Sequence, residues 1–392
     1  MKPSILFAVD NNQLLKELIS ITIPLRDEFD CFFAENGEKA IQLLANNKVD
    51  IVFSSSEIVL SSGANLLQEI KRLFPETIRF ALVKNLETSA VGRTSQYVHQ
   101  FVTLPLTKEN LKERINNILH IQSFLRNEKV EELIKNTTTL PSLPEIYIQI
   151  EEEVAKKDFS LNKIANLISK DPNLTAKILQ IVNSAYFGLR SEITNINYAL
   201  TYLGVNVIKS LVFYIHLFSN FKITPENKKH LERFWQHSLF VASNSYHLSE
   251  LFFKEKSALD ISYTAGILHD VGKFVLLNTL TYPENLIVLS EQKGYTYLEA
   301  EEEIYHCTHA EIGAYLLGLW GFPSEIVETV AYHHKPSHLQ KNKLNFATVV
   351  HIADFIYHAP PLDVTHIFEI GFEKNLLNSI LHIRKKREVK RR

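Results

Sequence analysis

The chain has 392 residues, of which 45% are hydrophobic and 22% are charged, a balance typical of a globular protein with two or three cores. Its formal net charge of −2 gives no overall electrostatic reason to expect nucleic acid or an anionic membrane as a partner. Because Cys31 and Cys307 are the only cysteines, a disulfide framework and a zinc ribbon are both excluded, and a reducing compartment fits best.

The N-terminal segment has none of the features of a secretory signal. Residues 1–10 lack a long apolar core and a small-residue cleavage site, and no apolar stretch of about 18 residues occurs elsewhere. We therefore expect a cytoplasmic protein without membrane insertion. The last nine residues, 384–392, carry seven Lys or Arg side chains and one Glu, which predicts a solvated basic tail as the one segment suited to polyanions such as nucleic acid.

Residues 1–122 alternate short apolar runs with segments of helical spacing, such as Leu14, Leu15, Leu18 and Ile19. Strands that alternate with helices at this rhythm predict βαβ units, and therefore an α/β domain with a doubly wound parallel sheet. Chemistry in such sheets gathers beyond the carboxyl ends of the strands. The predicted strands are Ser4–Val9, Cys31–Ala34, Ile51–Phe53, Phe80–Val83 and Phe101–Thr103.

Three segments near the ends of these strands resemble the receiver domain of two-component response regulators: Ile5–Asn11, Asp50–Gly63 and Phe101–Leu106. The resemblance implies that they correspond to the acidic pair, the phospho-accepting aspartate and the strand end that carries a lysine before proline. Receiver phosphorylation needs a carboxylate nucleophile, acids that hold Mg²⁺ and a cation that neutralises the acyl phosphate.

Most of that chemistry is missing from this sequence. Asp10 matches one member of the acidic pair, but Asn11 replaces the other. Ser55 stands at the acceptor position, Val83 at the usual hydroxyl residue and Leu104 at the lysine. Because a serine cannot accept a phosphoryl group from phosphohistidine by the aspartate route, we predict a receiver-like module that docks or dimerises without phosphorylation.

The acceptor position has two alternatives. A shift of one residue in the correspondence would place Ser54 or Ser56 there, and neither restores an acid. Glu57 is the nearest carboxylate, but it shares a strand face with Ser55 and is a weak substitute for an acceptor at that position.

A helical segment is predicted to leave the first domain. Apolar residues spaced at three and four predict one long helix over Leu111–Lys135, which could carry a signal or a dimer seam. The polar run Asn136–Thr139 breaks this pattern and is the predicted hinge. We place a helical linker at residues 123–138 and expect helices almost throughout the rest of the chain.

The next region is predicted to be all-helical. Asp171 and Pro172 should end one helix and start the next, because proline at the first helical position has no donor to lose. Its motifs resemble the HDOD domain, a helical relative of the HD superfamily found in bacterial signalling proteins. We place this domain at 139–340, followed by an extension at 341–392. The segments that carry the resemblance are Leu140–Glu145, Ile164–Thr175, Ile178–Gly188 and Ala199–Gly204.

His269 and Asp270 form an adjacent pair after the apolar segment Thr264–Leu268. An imidazole and a carboxylate in neighbouring positions suit a divalent ion. The pair resembles the signature of the HD superfamily, whose members include metal-dependent phosphohydrolases. The resemblance implies that His237 and Asp354 complete the ligand set, and four ligands would leave an open position for water or substrate.

Three further histidines are candidate ligands. His309, His333 and His334 follow in the order in which HD-GYP phosphodiesterases carry histidines for a second metal. The resemblance thus implies one or two divalent ions, with Fe, Mn, Zn and Mg as candidates. If the protein is an enzyme, Lys273 is the candidate catalytic residue that holds a phosphate or a leaving oxygen.

Two functions are compatible with these residues. The first is a signalling adaptor, in which the receiver-like module docks a protein partner or a second copy of the chain, and the HDOD domain presents an interaction surface. The second is a metal-dependent phosphohydrolase or phosphodiesterase that acts on a cyclic dinucleotide or another phosphoester. Because residues 335–338 replace the Gly-Tyr-Pro segment of HD-GYP enzymes, we favour the adaptor.

Overall fold

The computed structural model describes residues 2–84, 94, 97–124, 128–136, 143–184, 186–187, 192–220, 228–277, 284–339 and 344–358. The chain folds as two compact units. The first comprises Met1–Arg126, Thr138–Lys157 and Gly318–Gly321, and the second Asn127–Thr137, Asp158–Leu317 and Phe322–Arg392. Residues 137–139 of the predicted hinge and the basic tail lie outside the described residues.

The first unit contains a five-stranded parallel sheet in the order β2-β1-β3-β4-β5. This order is one of the two common doubly wound arrangements, so the predicted receiver-like α/β fold is confirmed, and all five predicted strands are present. The strands are β1 (Ser4–Ala8), β2 (Asp30–Ala34), β3 (Ile51–Ser55), β4 (Ile78–Val83) and β5 (Gln100–Thr103). The intervening helices are α1 (Asn12–Thr22), α2 (Gly37–Asn46) and α3 (Leu66–Leu73).

A ladder of phenylalanine rings runs across one face of the sheet. Phe53 of β3 stacks on Phe7 of β1 and on Phe80 of β4, with ring centroids 5.3 and 4.6 Å apart, and Phe7 stacks on Phe33 of β2 at 5.5 Å. Phe7, Phe53 and Phe80 are fully buried. Strands covered on both faces appear in the sequence as continuous apolar runs, which is why they could be predicted.

Helices α4 (Lys108–Phe124) and α5 (Glu128–Asn136) cover most of the predicted long helix, and residues 125–127 between them lie outside the described residues. Helix α6 (Glu145–Val154) belongs to the first unit. There Ile148 joins an apolar cluster with Leu67 of α3 and Val83 of β4. The packing of the first unit thus includes residues beyond the predicted linker.

All regular secondary structure among the described residues of the second unit is helical, as predicted. Asp171 caps helix α8 through its Oδ1, which accepts from the backbone N–H groups of Asn173 and Leu174, and Pro172 is the first helical residue. This confirms the predicted helix boundary. Besides α5, the α-helices are α7 (Leu161–Ser169), α8 (Pro172–Val182), α9 (Ile196–Leu203), α10 (Val205–Asn220), α11 (Lys228–Ser249), α12 (Lys256–Leu268), α13 (Lys273–Leu276), α14 (Glu284–Lys293), α15 (Tyr297–Tyr305), α16 (His309–Leu319), α17 (Ser324–Tyr332) and α18 (Phe346–His358).

Helix α12 lies at the centre of this unit and packs against α11, α17 and α18. The contact with α11 is close because Gly266 has no side chain: a Cβ there would lie 2.9 Å from the Cα of Ala242. All eight residues from Ser262 to His269 are buried. The end of α12 is therefore fixed inside a helical core.

Among the described residues, no single helix is long and apolar enough to cross a membrane. Helices α9 and α10 reach the required length and composition only as a pair, and they are bent by 120° where they meet at Gly204.

Candidate metal centre

The seven predicted ligands converge in the interior of the second unit. Six of them are at most 4% exposed, and His334 is half-buried. They come from five places along the chain: His237 from α11, His269 and Asp270 from the turn after α12, His309 from the first residue of α16, His333 and His334 from the turn after α17, and Asp354 from α18.

Asp270 lies between two groups of ligand atoms. Its Oδ2 is 3.3 Å from the Nε2 of His237 and 3.3 Å from the Nε2 of His269. Its Oδ1 is 3.1 Å from the Nε2 of His309 and 3.9 Å from the Nε2 of His333. One carboxylate thus presents a different oxygen to each group.

The distances within each group are equally short. The Nε2 atoms of His237 and His269 are 3.0 Å apart, and Asp354 Oδ1 is 3.3 Å from His237 Nε2. In the other group, the Nε2 atoms of His309 and His334 are 3.0 Å apart. The potential ligand atoms of each group all lie within 4.8 Å of one another.

Hydrogen bonds to the backbone orient two of these rings. His269 and His333 each follow the last turn of a helix, and the Nδ1 of each bonds the carbonyl oxygen three residues earlier, Gly266 at 2.8 Å and Val330 at 2.7 Å. A carbonyl oxygen only accepts, so Nδ1 carries the proton and Nε2 presents a lone pair to the cluster. Such hydrogen bonds fix ring orientation and tautomer in metal sites. Within the described part of the chain, the buried Nε2 of His333 has no hydrogen-bond partner.

Glu301 orients a third ring. Its fully buried carboxylate lies 2.7 Å from His309 Nδ1 and accepts the His309 backbone N–H at 2.8 Å. Burial alone lowers the pKa of His309, but the Glu301 carboxylate outweighs it and raises the pKa to about 9. Glu301 was not among the predicted site residues, because it stands in a run of three glutamates that is typical of a solvated helix face. The only available signal was its position directly after the apolar Ala300.

The donor set fits a divalent metal. Two ligands bound to one ion at about 2.1 Å and near a right angle are about 3.0 Å apart, which is also the separation of the His237 and His269 Nε2 atoms. Imidazole nitrogen with carboxylate oxygen suits Zn, Fe or Mn better than the all-oxygen shell that Ca²⁺ prefers. The unpartnered nitrogen of His333 also requires a cation or a donor.

Burial and neighbouring charges shift the pKa values of the carboxyl and imidazole groups in the cluster. Burial opposes the ionisation of Asp270, but His269 and Lys273 outweigh it and hold the pKa of that carboxyl well below its usual range. At Asp354, burial raises the pKa to about 6. Burial and the neighbouring imidazoles hold the pKa of His333 and of His334 well below the usual value for histidine. These surroundings thus favour an ionised Asp270 beside neutral imidazoles at His333 and His334.

The candidate catalytic residue Lys273 lies against Asp270, with Nζ 2.6 Å from Oδ2. Burial lowers the pKa of Lys273, and the Asp270 carboxylate outweighs this effect and raises it. The Lys273 ammonium is thus the cation nearest to the shared carboxylate, and its side chain is 25% exposed.

Two glycines allow the turn after α12 to approach α16. A Cβ at Gly272 would lie 2.0 Å from the carbonyl oxygen of His309 and 2.6 Å from the backbone nitrogen of Gly313. At Gly313, a Cβ would lie 3.1 Å from the Gly272 nitrogen. The absence of both side chains brings Asp270 within reach of His309.

The predicted receiver-site residues Asp10, Asn11, Ser55, Val83 and Leu104 also come together, in the first unit. They line a cavity of about 500 Å³ at the carboxyl ends of the strands, together with Ser56, Glu57 and Lys84. Asn11 has a structural role there, because its Oδ1 accepts the Gln13 and Leu14 backbone N–H groups and caps α1. Carboxylates line this cavity, but the predicted acceptor position at the end of β3 carries Ser55 instead of an acid.

Comparison with known proteins identifies relatives of this chain. The HDOD domain family matches residues 140–336. An uncharacterized protein of Treponema pallidum (strain Nichols) is 27% identical over 255 residues, which are 60% of this chain and 47% of that protein. The transcriptional regulatory protein GlrR of Escherichia coli (strain K12) is 27% identical over 140 residues, 36% of this chain and 31% of GlrR. The matches thus span less than half of each curated relative.

Among solved structures, an HDOD domain protein of Geobacter sulfurreducens has the same fold. It superposes with a TM-score of 0.52 at 24% identity, and the match covers 68% of this chain and 97% of that protein.

Proposed function

Because the chain belongs to the HDOD family, we propose that it is a signal-transduction protein in which a phosphorylation-independent receiver-like module is joined to an HDOD domain that binds divalent metal and presents an interaction surface. The observation that carries the proposal is the arrangement around Asp270, whose two oxygens face two groups of buried ligand atoms. Of the imidazoles there, His269, His309 and His333 have their Nδ1 atoms engaged elsewhere and turn Nε2 toward the cluster.

Each of the two ligand groups would hold one metal ion. His237, His269 and Asp354 would hold one ion, and His309, His333 and His334 a second, with Asp270 available to both. A bound ion would supply a fixed positive charge that neutralises the buried carboxylates and ties α11, α12, α16, α17 and α18 together. The charge state of the cluster would then set the surface that these helices present to a protein partner or to a second copy of the chain.

The receiver-like module supports the adaptor interpretation. It retains the five-stranded sheet but has Ser55 where the nucleophilic carboxylate is needed and Leu104 where the neutralising cation is needed. A protein with this module would transmit a signal through docking. The similarity to a transcriptional regulatory protein over 140 residues is consistent with that role.

The test of the proposal is metal content. We expect one or two divalent ions per chain in the purified protein by inductively coupled plasma mass spectrometry, and their loss in the double variant His269→Ala, Asp270→Ala. His338→Ala changes a histidine outside both groups and should leave the content unchanged. Metal at wild-type stoichiometry in the double variant would contradict the assignment.

A second function, a metal-dependent phosphohydrolase or phosphodiesterase, is favoured by one observation. The ligands form two adjacent groups that share a carboxylate, which is the arrangement a two-metal hydrolase requires. Two features weigh against it: six of the seven ligands are at most 4% exposed, and Lys273 is already paired with Asp270. Turnover of a cyclic dinucleotide or an aryl phosphodiester that disappears in Asp270→Asn would establish this function in place of the adaptor.

A further inference from the structure

A second site in the helical unit is a pocket of about 230 Å³ with aromatic walls. Its lining includes Phe187, Tyr202 of α9, Tyr246 of α11 and Tyr263 of α12, together with the carboxylate-bearing residue Glu250. None of these residues belongs to the two ligand groups around Asp270. Aromatic rings gathered from four parts of the chain around one cavity need an explanation beyond core packing, because Tyr202 is 64% exposed.

The rings form a corner. The Tyr246 and Tyr263 rings meet at 79° with centroids 6.5 Å apart, and the Phe187 ring is tilted by 34° from Tyr263 at 5.8 Å. A flat ligand such as a nucleobase is held between two parallel rings, whereas walls that meet near a right angle surround a compact, rounded group. Tyr263 is buried behind this corner, so Phe187, Tyr202 and Tyr246 supply the accessible ring surface. The negative faces of aromatic rings attract a cation, as in aromatic cages for methylated ammonium groups.

The charges around the pocket agree with this shape. Glu250 carries a carboxylate at the pocket, and its Oε2 is 3.2 Å from His247 Nδ1. Lys256 Nζ already lies 4.7 Å from the centre of the Tyr246 ring and donates to Tyr246 Oη at 2.6 Å. The charge of Lys256 is offset by Asp260 at 3.4 Å, so Glu250 is the carboxylate available at the pocket lining.

We propose that this pocket binds a small organic cation, an ammonium group that carries methyl substituents. The accessible aromatic rings contact the methyl groups, and Glu250 supplies the opposite charge. The site gives the helical unit a small-molecule input that is separate from the metal centre.

The experiment is a calorimetric titration of the full chain with choline and with 3,3-dimethylbutan-1-ol, the neutral molecule of the same shape. We expect choline to bind about tenfold more tightly than the neutral molecule, since only the charge differs. Glu250→Gln and Tyr202→Ala should each weaken choline binding several-fold. Tyr198→Ala is the matched control, because Tyr198 lies one turn earlier on α9 and is 65% exposed, but does not line the pocket.

Three results would overturn the proposal. The first is equal or tighter binding of 3,3-dimethylbutan-1-ol, which would make the pocket simply apolar. The second is the absence of choline binding at millimolar concentration. The third is choline binding that is unchanged in Tyr202→Ala and Glu250→Gln, which would place the cation elsewhere on the protein.

Discussion

The sheet-end cavity of the first unit and the Asp270 cluster of the second are both built from residues that resemble a family motif. They differ in which part of that motif is present, the backbone fold or the functional side chains. The first has five parallel strands and a cavity at their carboxyl ends, but Ser55 and Leu104 stand at the positions predicted for the nucleophile and the cation. The second keeps its donor atoms and also the hydrogen bonds that orient them.

A fold and its chemistry depend on different numbers of residues. The core of the sheet is formed by many apolar side chains, such as the stacked Phe7, Phe53 and Phe80. Receiver chemistry needs a few specific groups, and we expect a serine at position 55 to be enough to prevent it. A preserved fold is therefore weak evidence for a preserved reaction.

The largest effect is expected for Asp270→Asn. The amide would keep the shape of the side chain but remove the charge shared by both ligand groups, so we expect loss of all bound metal. The matched control is Asp260→Asn, since Asp260 is also a buried aspartate of α12 and lies outside the cluster. Inductively coupled plasma mass spectrometry of both variants measures the effect. Metal retained in Asp270→Asn would show that the charge of Asp270 is not needed to bind it. The two regions would then differ only in their shape.

The next largest effect is expected for Gly272→Ala, which should lower the stability of the fold. The added methyl would meet the His309 carbonyl oxygen at 2.0 Å, and we expect a loss of about 2–4 kcal/mol in the free energy of unfolding. Gly294→Ala serves as the control: no atom lies within 4 Å of its Cβ, and only its positive φ of 70° opposes the substitution, at about 1 kcal/mol. Urea denaturation monitored by circular dichroism compares the two. Equal losses would mean that the approach of the α12 turn to α16 is not tight.

Glu301→Gln should lower the affinity for metal and change the stability of the fold less than Gly272→Ala does. The variant keeps a hydrogen-bond acceptor for His309 Nδ1 but loses the charge, and we expect the affinity for metal to fall about 10- to 100-fold. Competition with a chromophoric chelator measures the affinity. Glu303→Gln is the control in the same run of glutamates, because Glu303 is exposed and bonds only Lys293 among the described residues. An unchanged affinity in Glu301→Gln would limit this carboxylate to a packing role.

The smallest effect is expected for Ser55→Asp. A carboxylate alone should not restore phosphorylation, because Leu104 supplies no cation and Asn11 supplies no second acid. Incubation with acetyl phosphate and Mg²⁺ should give no base-labile label in the wild type or in this variant. The triple variant Ser55→Asp, Asn11→Asp, Leu104→Lys should give one. A label in the wild type would overturn the phosphorylation-independent role.

The parts that were predictable from sequence have two sources. The strands are continuous apolar runs, and the start of α8 is marked by Asp171 and Pro172, so local composition was sufficient. The ligand residues and their division into two sets were implied by the resemblance to the HD superfamily. That Asp270 turns one oxygen to each set was not predicted, because it depends on how close Gly272 and Gly313 allow two parts of the chain to come.

Other features left no signal in the sequence. Glu301 lies among glutamates of ordinary helical composition, and its burial results from the packing of α15. The aromatic pocket joins rings that are up to 76 positions apart, from Phe187 to Tyr263, and no spacing rule connects them. Both depend on tertiary packing, which sequence periodicity describes only within one element.

Helix α12 has one more consequence. It carries Tyr263 in the wall of the aromatic pocket and ends at the turn with His269 and Asp270, about 9 Å further along its axis. Because Tyr263 and the turn that carries Asp270 belong to one continuous buried segment, a ligand that shifted Tyr263 would also shift the shared carboxylate. Any change that a cation in the pocket makes to the affinity for metal must then be matched by an equal change that the metal makes to the affinity for the cation. Through this thermodynamic reciprocity, occupancy of either site would change the binding affinity of the other.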